Sequence, residues 1–158
     1  MQTFRQVIAP KANKIIAWLN NEDKVTYKQR QSAVISIGAI KGLTAEKEKI
    51  IRSKIATILE QRKYRLSNKI PETLLLKATI QNIFLSKFNE KIIVTWTLTS
   101  QNGFEIGNIK QENIVEKVRL DNNWAEISNQ IARGAIDGIL DLFQAYSASK
   151  RQSKNKVE

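Results

Sequence analysis

The chain has 158 residues, 42% of them hydrophobic, and a formal net charge of +11. It contains no cysteine and no histidine, which excludes disulfides, a thiolate nucleophile and the most common general base and metal ligand. The composition favours one globular domain, and it predicts no catalytic residues, no metal site and no cofactor. We therefore expect a protein that is not an enzyme.

The positive charge is concentrated in the first half of the chain. Residues 1–70 contain 15 Lys and Arg against 5 Asp and Glu, whereas residues 71–158 contain 11 against 10. A field of this sign attracts anionic partners such as nucleic acid or lipid headgroups. The same lysines can also serve only to solvate the exposed faces of a chain rich in Lys, Ile and Asn, so the charge leaves both interpretations open.

Residues 1–31 are predicted to form an N-terminal arm or a short helix. Pro10 suits the first turn of a helix that runs to about Asn20, and Trp18 either packs on the domain or contacts a partner. No stretch approaches the roughly 20 apolar residues of a membrane span, and Met1 does not open a signal peptide. Either the protein is cytosolic or the chain is a mature form whose leader has been removed.

The main domain is predicted over residues 32–146, and it begins with a strand followed by a helix. The alternating run SAVISIGAI at residues 32–40 indicates a buried strand. Gly42 then acts as a breaker, Thr44 as the N-cap, and Glu46 lies in the first turn of the helix. The buried stripe of this helix is predicted to comprise Ile51, Ile55, Ile58 and Leu59.

The opposite face of this helix is the densest basic surface in the chain. It carries Lys47, Lys49, Arg52, Lys54, Arg62 and Lys63. The residues predicted to contact an anionic ligand are Lys47, Arg52, Lys54, Arg62 and Lys63. The alternative is that these side chains only solvate an exposed helix.

Residues 73–115 are predicted to form three consecutive antiparallel strands. The middle strand, from Lys91 to Ser100, alternates Ile92, Val94, Trp96 and Leu98 with Ile93, Thr95, Thr97 and Thr99. The first strand places Leu74, Leu76, Ala78 and Ile80 on the inward face, and a loop from Ser86 to Lys91 follows it. The pair Asn102-Gly103 indicates a tight hairpin. The third strand alternates from Phe104 and Ile106, and Gly107 indicates a bulge after which Ile109 faces inward.

A long helix and a polar tail complete the chain. Asp121 or Asn122 is predicted to cap the helix, and its inward residues are Trp124, Ile127, Ile131, Ala135, Gly138 and Leu142. Gly134 and Gly138 each cost about 1 kcal/mol relative to alanine inside a helix, which predicts close approach of helix to sheet. Asp137 and Asp141 share one helical face and suggest a cation site, although no third ligand lies nearby in sequence. Residues 147–158 are predicted to be a disordered basic tail.

These elements predict an α+β fold with two layers. Its sheet has four mainly antiparallel strands, both long helices lie on one face, and the order is β-α-β-β-β-α. The other face, which includes Thr95, Thr97 and Thr99, is either exposed or covered by the N-terminal arm. An exposed face or edge of this kind is a plausible docking surface.

The segment from Val94 to Phe143 resembles the C-terminal part of a group of small envelope lipoproteins of alphaproteobacteria. The resemblance depends on Trp96, Gly103, Gly107, Gln111, Asn113, Trp124, Ala132, Ala135 and Gly138. At the level of fold, the chain is similar to the lipopolysaccharide-transport lipoprotein LptE. The resemblance implies a mature lipoprotein on the periplasmic side of a bacterial membrane, with its leader removed. The chain itself contains no cysteine that could carry a lipid, and a cytoplasmic location is the alternative.

Three functions are compatible with the sequence. The leading hypothesis is a non-enzymatic envelope protein that binds an anionic lipid or lipopolysaccharide, or that docks on an envelope assembly. The alternative is a nucleic-acid-binding module, because the order helix, three strands, helix superficially matches that of a double-stranded RNA-binding domain. Against this, the start of the last helix, DNNWAEISNQ, has no Lys or Arg to contact phosphates. The third is an assembly subunit whose arm becomes ordered only on a partner.

Overall fold

The structure is a computed structural model that describes residues 5–8, 34–67 and 73–155, with the side chains of residues 34–67 and 73–150. Six strands and three helices occur in these ranges. The elements in chain order are β1 Arg5–Ile8, β2 Val34–Lys41, α1 Ala45–Gln61, β3 Arg65–Leu66, β4 Leu74–Phe84, β5 Asn89–Thr99, β6 Glu105–Glu116, α2 Lys117–Asn122 and α3 Trp124–Asn155.

The described strands form one sheet in the order β1-β6-β5-β4-β2-β3. Strands β4, β5 and β6 pair as an antiparallel meander, whereas β2 pairs in parallel with both β4 and β3. The predicted α+β class and the mainly antiparallel sheet are confirmed. The predicted count of four strands was too low, because the short β1 and β3 extend the two edges.

Strand β1 corrects part of the prediction for the N-terminal arm. Residues 5–8 were expected to lie in an arm or a short helix, but they pair with β6 from Arg5 opposite Glu112 to Ile8 opposite Ile109. The helix predicted between Pro10 and Asn20 lies outside the described residues. The edge pairing was not evident because four residues are too few for a reliable alternating pattern.

The central strand β5 follows its predicted alternation. Ile92, Val94, Trp96 and Leu98 are completely buried, while Ile93, Thr95 and Thr97 on the other face are half-buried. Thr99, predicted on that same face, is buried at 6% exposure. The core lies between this inward face and the two long helices. Helix α1 contributes Ile51, Ile55 and Leu59 to it, and α3 contributes Ile127, Ile131, Ala135, Ile139 and Leu142.

The bulge in β6 lies one residue before its predicted position. Leu98 pairs with Gly107 and Thr99 pairs with Glu105, so Ile106 is the extra residue. In the preceding turn, the amide of Ser100 donates to the carbonyl of Phe104 at 2.9 Å. Phe104 therefore lies at the mouth of the hairpin and is 66% exposed, which corrects the prediction that it starts the inward face.

The start of α1 is as predicted from Gly42 and Thr44. The Thr44 hydroxyl accepts from the amide of Lys47 at 3.3 Å, as an N-cap does. Gly42 has φ +97°, and a Cβ at this position would lie 1.9 Å from the carbonyl oxygen of Ile80. Only glycine can make the turn from β2 into α1 this close to β4.

Both ends of the last helix differ from the prediction. Residues 117–122 form the separate helix α2, so Asn123, not Asp121 or Asn122, precedes α3, and its carbonyl accepts from Ile127 at 3.1 Å. At the other end, α3 continues to Asn155, which corrects the expectation of disorder for residues 147–155. Ala148 is still buried, so apolar packing supports the helix beyond the predicted boundary.

Candidate functional site

The five cationic residues predicted to bind an anion do not form one surface. All five lie on α1 or directly after it, but the described contacts divide them into different environments. Successive residues of an α-helix are separated by about 100°, so Arg52 and Lys54 lie roughly 200° apart around the axis. Each residue therefore has to be considered by its own contacts.

Arg52 is held by strand β2. Its guanidinium donates to the carbonyls of Ile37 and Gly38, both at 2.9 Å, and it pairs with the carboxylate of Glu48 at 2.8 Å. These carbonyls lie where the pairing of β2 with β4 shifts register between Ile37 and Ile40. The side chain thus compensates for an irregularity of the sheet, and much of its hydrogen-bonding capacity is already used.

Lys47 joins the starts of the two long helices. Its ammonium lies 5.3 Å from the centroid of the Trp124 ring, and its carbonyl accepts from the Trp124 indole nitrogen at 3.0 Å. Trp124 is largely buried. The contact therefore fixes the position of the first turn of α3 against the first turn of α1, and a cation lies beside the junction.

Arg62 and Lys63 lie at the far end of α1. Arg62 pairs with Asp137 at 3.4 Å, with both side chains mostly exposed, so the pair is weak. Lys63 has φ +69° and lines a shallow depression of about 570 Å³ with Glu60, Tyr64, Arg65 and Leu66. Asp137, predicted as half of a cation site, thus has Arg62 as a neighbour. In the described ranges no three His, Cys, Asp or Glu side chains come together as metal ligands would.

Lys54 lies in a groove between α1 and the first turn of α3. The groove has a volume of about 380 Å³, and it is lined by Lys49, Ile50, Ser53, Lys54 and Ala125. Lys49 was noticed in the sequence as part of the basic face but was not among the predicted ligand contacts. The lining combines two ammonium groups, one hydroxyl group and two apolar side chains, and it includes no carboxylate. We call this set of residues the α1–α3 groove.

The groove lies near the end of the sheet at which β4 turns into β5, and we call this the hairpin end. Strand β2 ends there at Lys41 and α1 begins at Ala45, while β6 ends there at Glu116 and α3 begins at Trp124. Strand β4 pairs with β2 only as far as Thr79 and continues to Phe84. These five further residues carry the β4–β5 hairpin roughly 17 Å past the last pair with β2, at about 3.4 Å per residue.

The projecting hairpin carries an exposed apolar cluster. Phe84 is 73% exposed and Phe88 is 70% exposed. Six of the seven large apolar side chains that are exposed in the described part of the chain lie at this end, and the seventh is Phe104. We call these six residues the apolar tip: Ile83, Phe84, Leu85, Phe88, Ile114 and Val118.

The sequence interpretation missed the apolar tip because it treated residues 86–91 only as a loop. One feature of the sequence could have indicated it. Phe84-Leu85 and Phe88 lie in and beside a turn that also contains Ser86 and Lys87. Large apolar side chains are unusual in a solvated turn, and such exposed patches mark contact sites.

The outer face of the sheet is polar near the same end. The carboxylate of Glu112 lies 2.9 Å from the ammonium of Lys91 and 3.2 Å from that of Lys110. The hydrogen bond from Lys91, followed by that from Lys110, holds the pKa of Glu112 below its ordinary value. This face thus presents paired charges, and it contrasts with the apolar tip beyond it.

Among the described helices, none is both long and apolar enough to cross a bilayer.

Comparison with known proteins gives similarities of structure only. No protein-family profile matches the sequence, and no curated protein matches it. The PelC dodecamer from Paraburkholderia phytofirmans is 13% identical with a TM-score of 0.49, and the match covers 91% of this chain and 98% of that one.

Two other similar structures are lipoproteins by name. The minor lipoprotein from Acinetobacter baumannii is 13% identical with a TM-score of 0.42, over 73% of this chain and 94% of that one. The rare lipoprotein B from Shewanella oneidensis is 9% identical with a TM-score of 0.34, and the match covers 78% of this chain and 96% of that one. At these identities and TM-scores, no function is transferred from these proteins to this chain.

Proposed function

We propose that this chain is a non-enzymatic protein of the bacterial cell envelope that binds the anionic headgroup of a lipid in the α1–α3 groove. The observation that carries the proposal is the lining of that groove. Lys49 and Lys54 supply two ammonium groups, Ser53 supplies a hydroxyl group, and Ile50 and Ala125 are apolar. This combination suits a ligand that is anionic on one side and apolar on the other.

The charge of the groove supports an anionic ligand. Neither a glutamate nor an aspartate lines it, so the two ammonium groups are not neutralised by the lining itself. The ammonium of Lys47 lies over Trp124, next in sequence to Ala125 of the lining, and adds a third positive charge close by. Each lysine near an anionic lipid surface contributes about 1 kcal/mol of attraction.

The envelope and lipoprotein parts of the proposal are supported by sequence. Residues 94–143 resemble the alphaproteobacterial envelope lipoproteins through residues that include Trp96, Gln111 and Trp124. We include in the proposal the similarity to LptE, a location on the periplasmic side of a membrane, and lipopolysaccharide as one candidate lipid. The non-enzymatic part is supported by a composition without histidine or cysteine.

The proposal can be tested by sedimentation with vesicles made of equal parts of phosphatidylglycerol and phosphatidylcholine, and with lipopolysaccharide. The double variant Lys49→Gln and Lys54→Gln is expected to lose about 2 kcal/mol of binding, or roughly 30-fold in affinity. Its control is Lys77→Gln with Arg133→Gln, which removes the same charge from two exposed positions outside the groove. The control variant is expected to bind like the unmodified protein.

Two outcomes would contradict the assignment of the groove. Equal losses in the groove variant and in the control would show that binding follows net charge alone. A larger loss in Arg62→Gln with Lys63→Gln would move the site to the other end of α1. The alternative function, nucleic-acid binding, is tested by adding duplex RNA: salt-dependent binding to RNA without binding to either lipid would replace the proposal.

A further inference from the structure

We infer that the apolar tip is a membrane-insertion element, which buries Phe84, Leu85 and Phe88 in the interfacial region of a phospholipid bilayer. The inference rests on the proposed function in its choice of a lipid partner. It concerns other residues than the α1–α3 groove, however, so the two can fail separately. Its partner is the bilayer itself, not a single lipid molecule.

The shape of the tip favours a bilayer over a flat partner. Ile83 and Ile114 lie in one row on the outer face of the sheet, on either side of Lys91. Phe84 lies by register on the opposite, helix-facing side, and Val118 belongs to helix α2. The exposed apolar side chains therefore surround the projecting end. A bilayer encloses an inserted projection on all sides, whereas a flat protein surface would cover only one of them.

The backbone of the hairpin turn is hydrogen-bonded within the protein. The amides of Leu85 and Ser86 donate to the carbonyl of Asn89 at 3.2 and 3.1 Å, and the Ser86 hydroxyl accepts from the amides of Phe88 and Asn89, both at 3.2 Å. The carbonyl of Phe88 accepts from the amide of Lys117 at 2.8 Å. Unpaired amides and carbonyls resist transfer out of water. In this turn the amides of Leu85, Ser86, Phe88 and Asn89 are already paired, which lowers the free-energy cost of moving the turn out of water.

The charge of the turn is compatible with anionic headgroups. Between Ile83 and Phe88 the only ionisable side chain is Lys87, whose ammonium lies 5.9 Å from the centroid of the Phe88 ring. A lysine can lay its aliphatic part along apolar surface while its ammonium reaches phosphates at the level of the headgroups. Lys117, exposed at the start of α2, is placed to do the same from the neighbouring strand end.

The test uses the absence of cysteine from the chain, because one introduced cysteine gives a single labelling site. Phe88→Cys carries an environment-sensitive fluorophore at the tip. Phe104→Cys carries it at the opposite end of the sheet, at a position of similar exposure, 66% against 70%. With vesicles of phosphatidylglycerol and phosphatidylcholine, we expect a blue shift and a severalfold increase in emission at position 88. Position 104 should not change, and lipids labelled with nitroxide should quench position 88 only.

The outcomes separate this inference from the proposed function. If labelled protein sediments with vesicles but the emission at position 88 does not change, insertion is overturned, and the groove proposal stands if the Lys49→Gln and Lys54→Gln variant loses this binding while its control does not. If the Lys49→Gln and Lys54→Gln variant still shows the shift at position 88 on anionic vesicles, insertion stands without the groove. Equal shifts at positions 88 and 104 would indicate non-specific adsorption and would overturn insertion.

A second variant tests whether the tip instead binds another protein molecule. Phe84→Ser with Phe88→Ser should retain the fold, since both side chains are exposed, and should reduce vesicle binding at least severalfold. Light scattering of the unmodified protein without lipid gives the control. A dimer that dissociates in the serine variant would assign the tip to a second copy of the chain and would overturn the lipid partner.

Discussion

The indole nitrogen of Trp96 donates to the side-chain oxygen of Gln111 at 2.8 Å, and both residues are fully buried. The amide nitrogen of Gln111 donates in turn to the carbonyl of Ile131 at 3.0 Å. One side chain of β6 thus joins the central strand β5 to helix α3 inside an apolar core. A buried polar link of this kind requires both partners in place, so it fixes the position of the helix along the sheet.

Replacement of Gln111 by leucine should therefore destabilise the fold. The indole N–H of Trp96 would remain buried without its acceptor, which costs about 1–3 kcal/mol. Urea unfolding of Gln111→Leu measures the loss. The double variant Trp96→Phe with Gln111→Leu should lose less than the sum of the two single variants, because it leaves no unpaired indole N–H. Additive losses in this cycle would show that the two side chains are not coupled.

Two glycines have positive φ, and we expect their replacement by alanine to destabilise the protein by different amounts. Gly103→Ala places a Cβ in open space at φ +83°, so only the left-handed backbone opposes it, at roughly 1–2 kcal/mol. Gly42→Ala has similar strain and also a clash with the Ile80 carbonyl. We expect a clearly larger loss at position 42 in thermal unfolding. Equal losses would mean that β4 moves away from the turn at little cost.

We expect Arg52 to stabilise the fold and not to contribute to vesicle binding. Arg52→Lys keeps the positive charge but cannot donate to Ile37, Gly38 and Glu48 together, so we expect a loss of about 1–3 kcal/mol in urea unfolding. Vesicle binding of the folded fraction should remain within twofold of the unmodified protein. The opposite pattern, with unchanged stability and weaker binding, would return Arg52 to the anion-binding residues.

The ion pairs of Glu112 should make the stability of the fold depend on pH. Because Lys91 and then Lys110 lower the pKa of Glu112 in the folded protein, the carboxylate stabilises the fold above its unfolded pKa. This contribution is lost as the pH falls through the lower, folded pKa. Glu112→Gln should therefore have a lower Tm than the unmodified protein at neutral pH, and the difference should shrink as the pH falls below the ordinary pKa of a glutamate. It should also shrink in high salt, since the side chains are partly exposed. A difference that is independent of pH would contradict the assignment.

The pattern of apolar residues predicted the core residues well. It predicted the register of the strands less well. Alternation in β5 was sufficient to place Trp96 inside, because each inward residue is separated by one outward residue. The position of Phe104 could not be derived this way. Phe104 precedes β6, which begins at Glu105, and it lies at the mouth of the hairpin, where its carbonyl accepts from the amide of Ser100. The bulge lies at Ile106, not at Gly107.

The candidate site was less predictable than the core. The density of Lys and Arg on α1 indicated a basic helix, but its angular spacing separates Arg52 from Lys54, and only contacts with β2 and α3 show their different surroundings. The apolar tip depends on a difference in strand length. The large apolar residues of the turn could have indicated a contact site, but local sequence does not show that β4 continues beyond the end of β2, which is what makes Phe84 and Phe88 project from the domain.

The contact between Lys47 and Trp124 gives the protein an optical signal of its own. Indole emission responds to a nearby cation, and Trp124 adjoins Ala125 of the groove, whereas Trp96 is sealed in the core. A ligand that draws the Lys47 ammonium away from the ring would change the emission of Trp124 and leave that of Trp96 constant. Occupancy of the groove could then be followed in unlabelled protein, with Trp124→Phe to identify the responding residue.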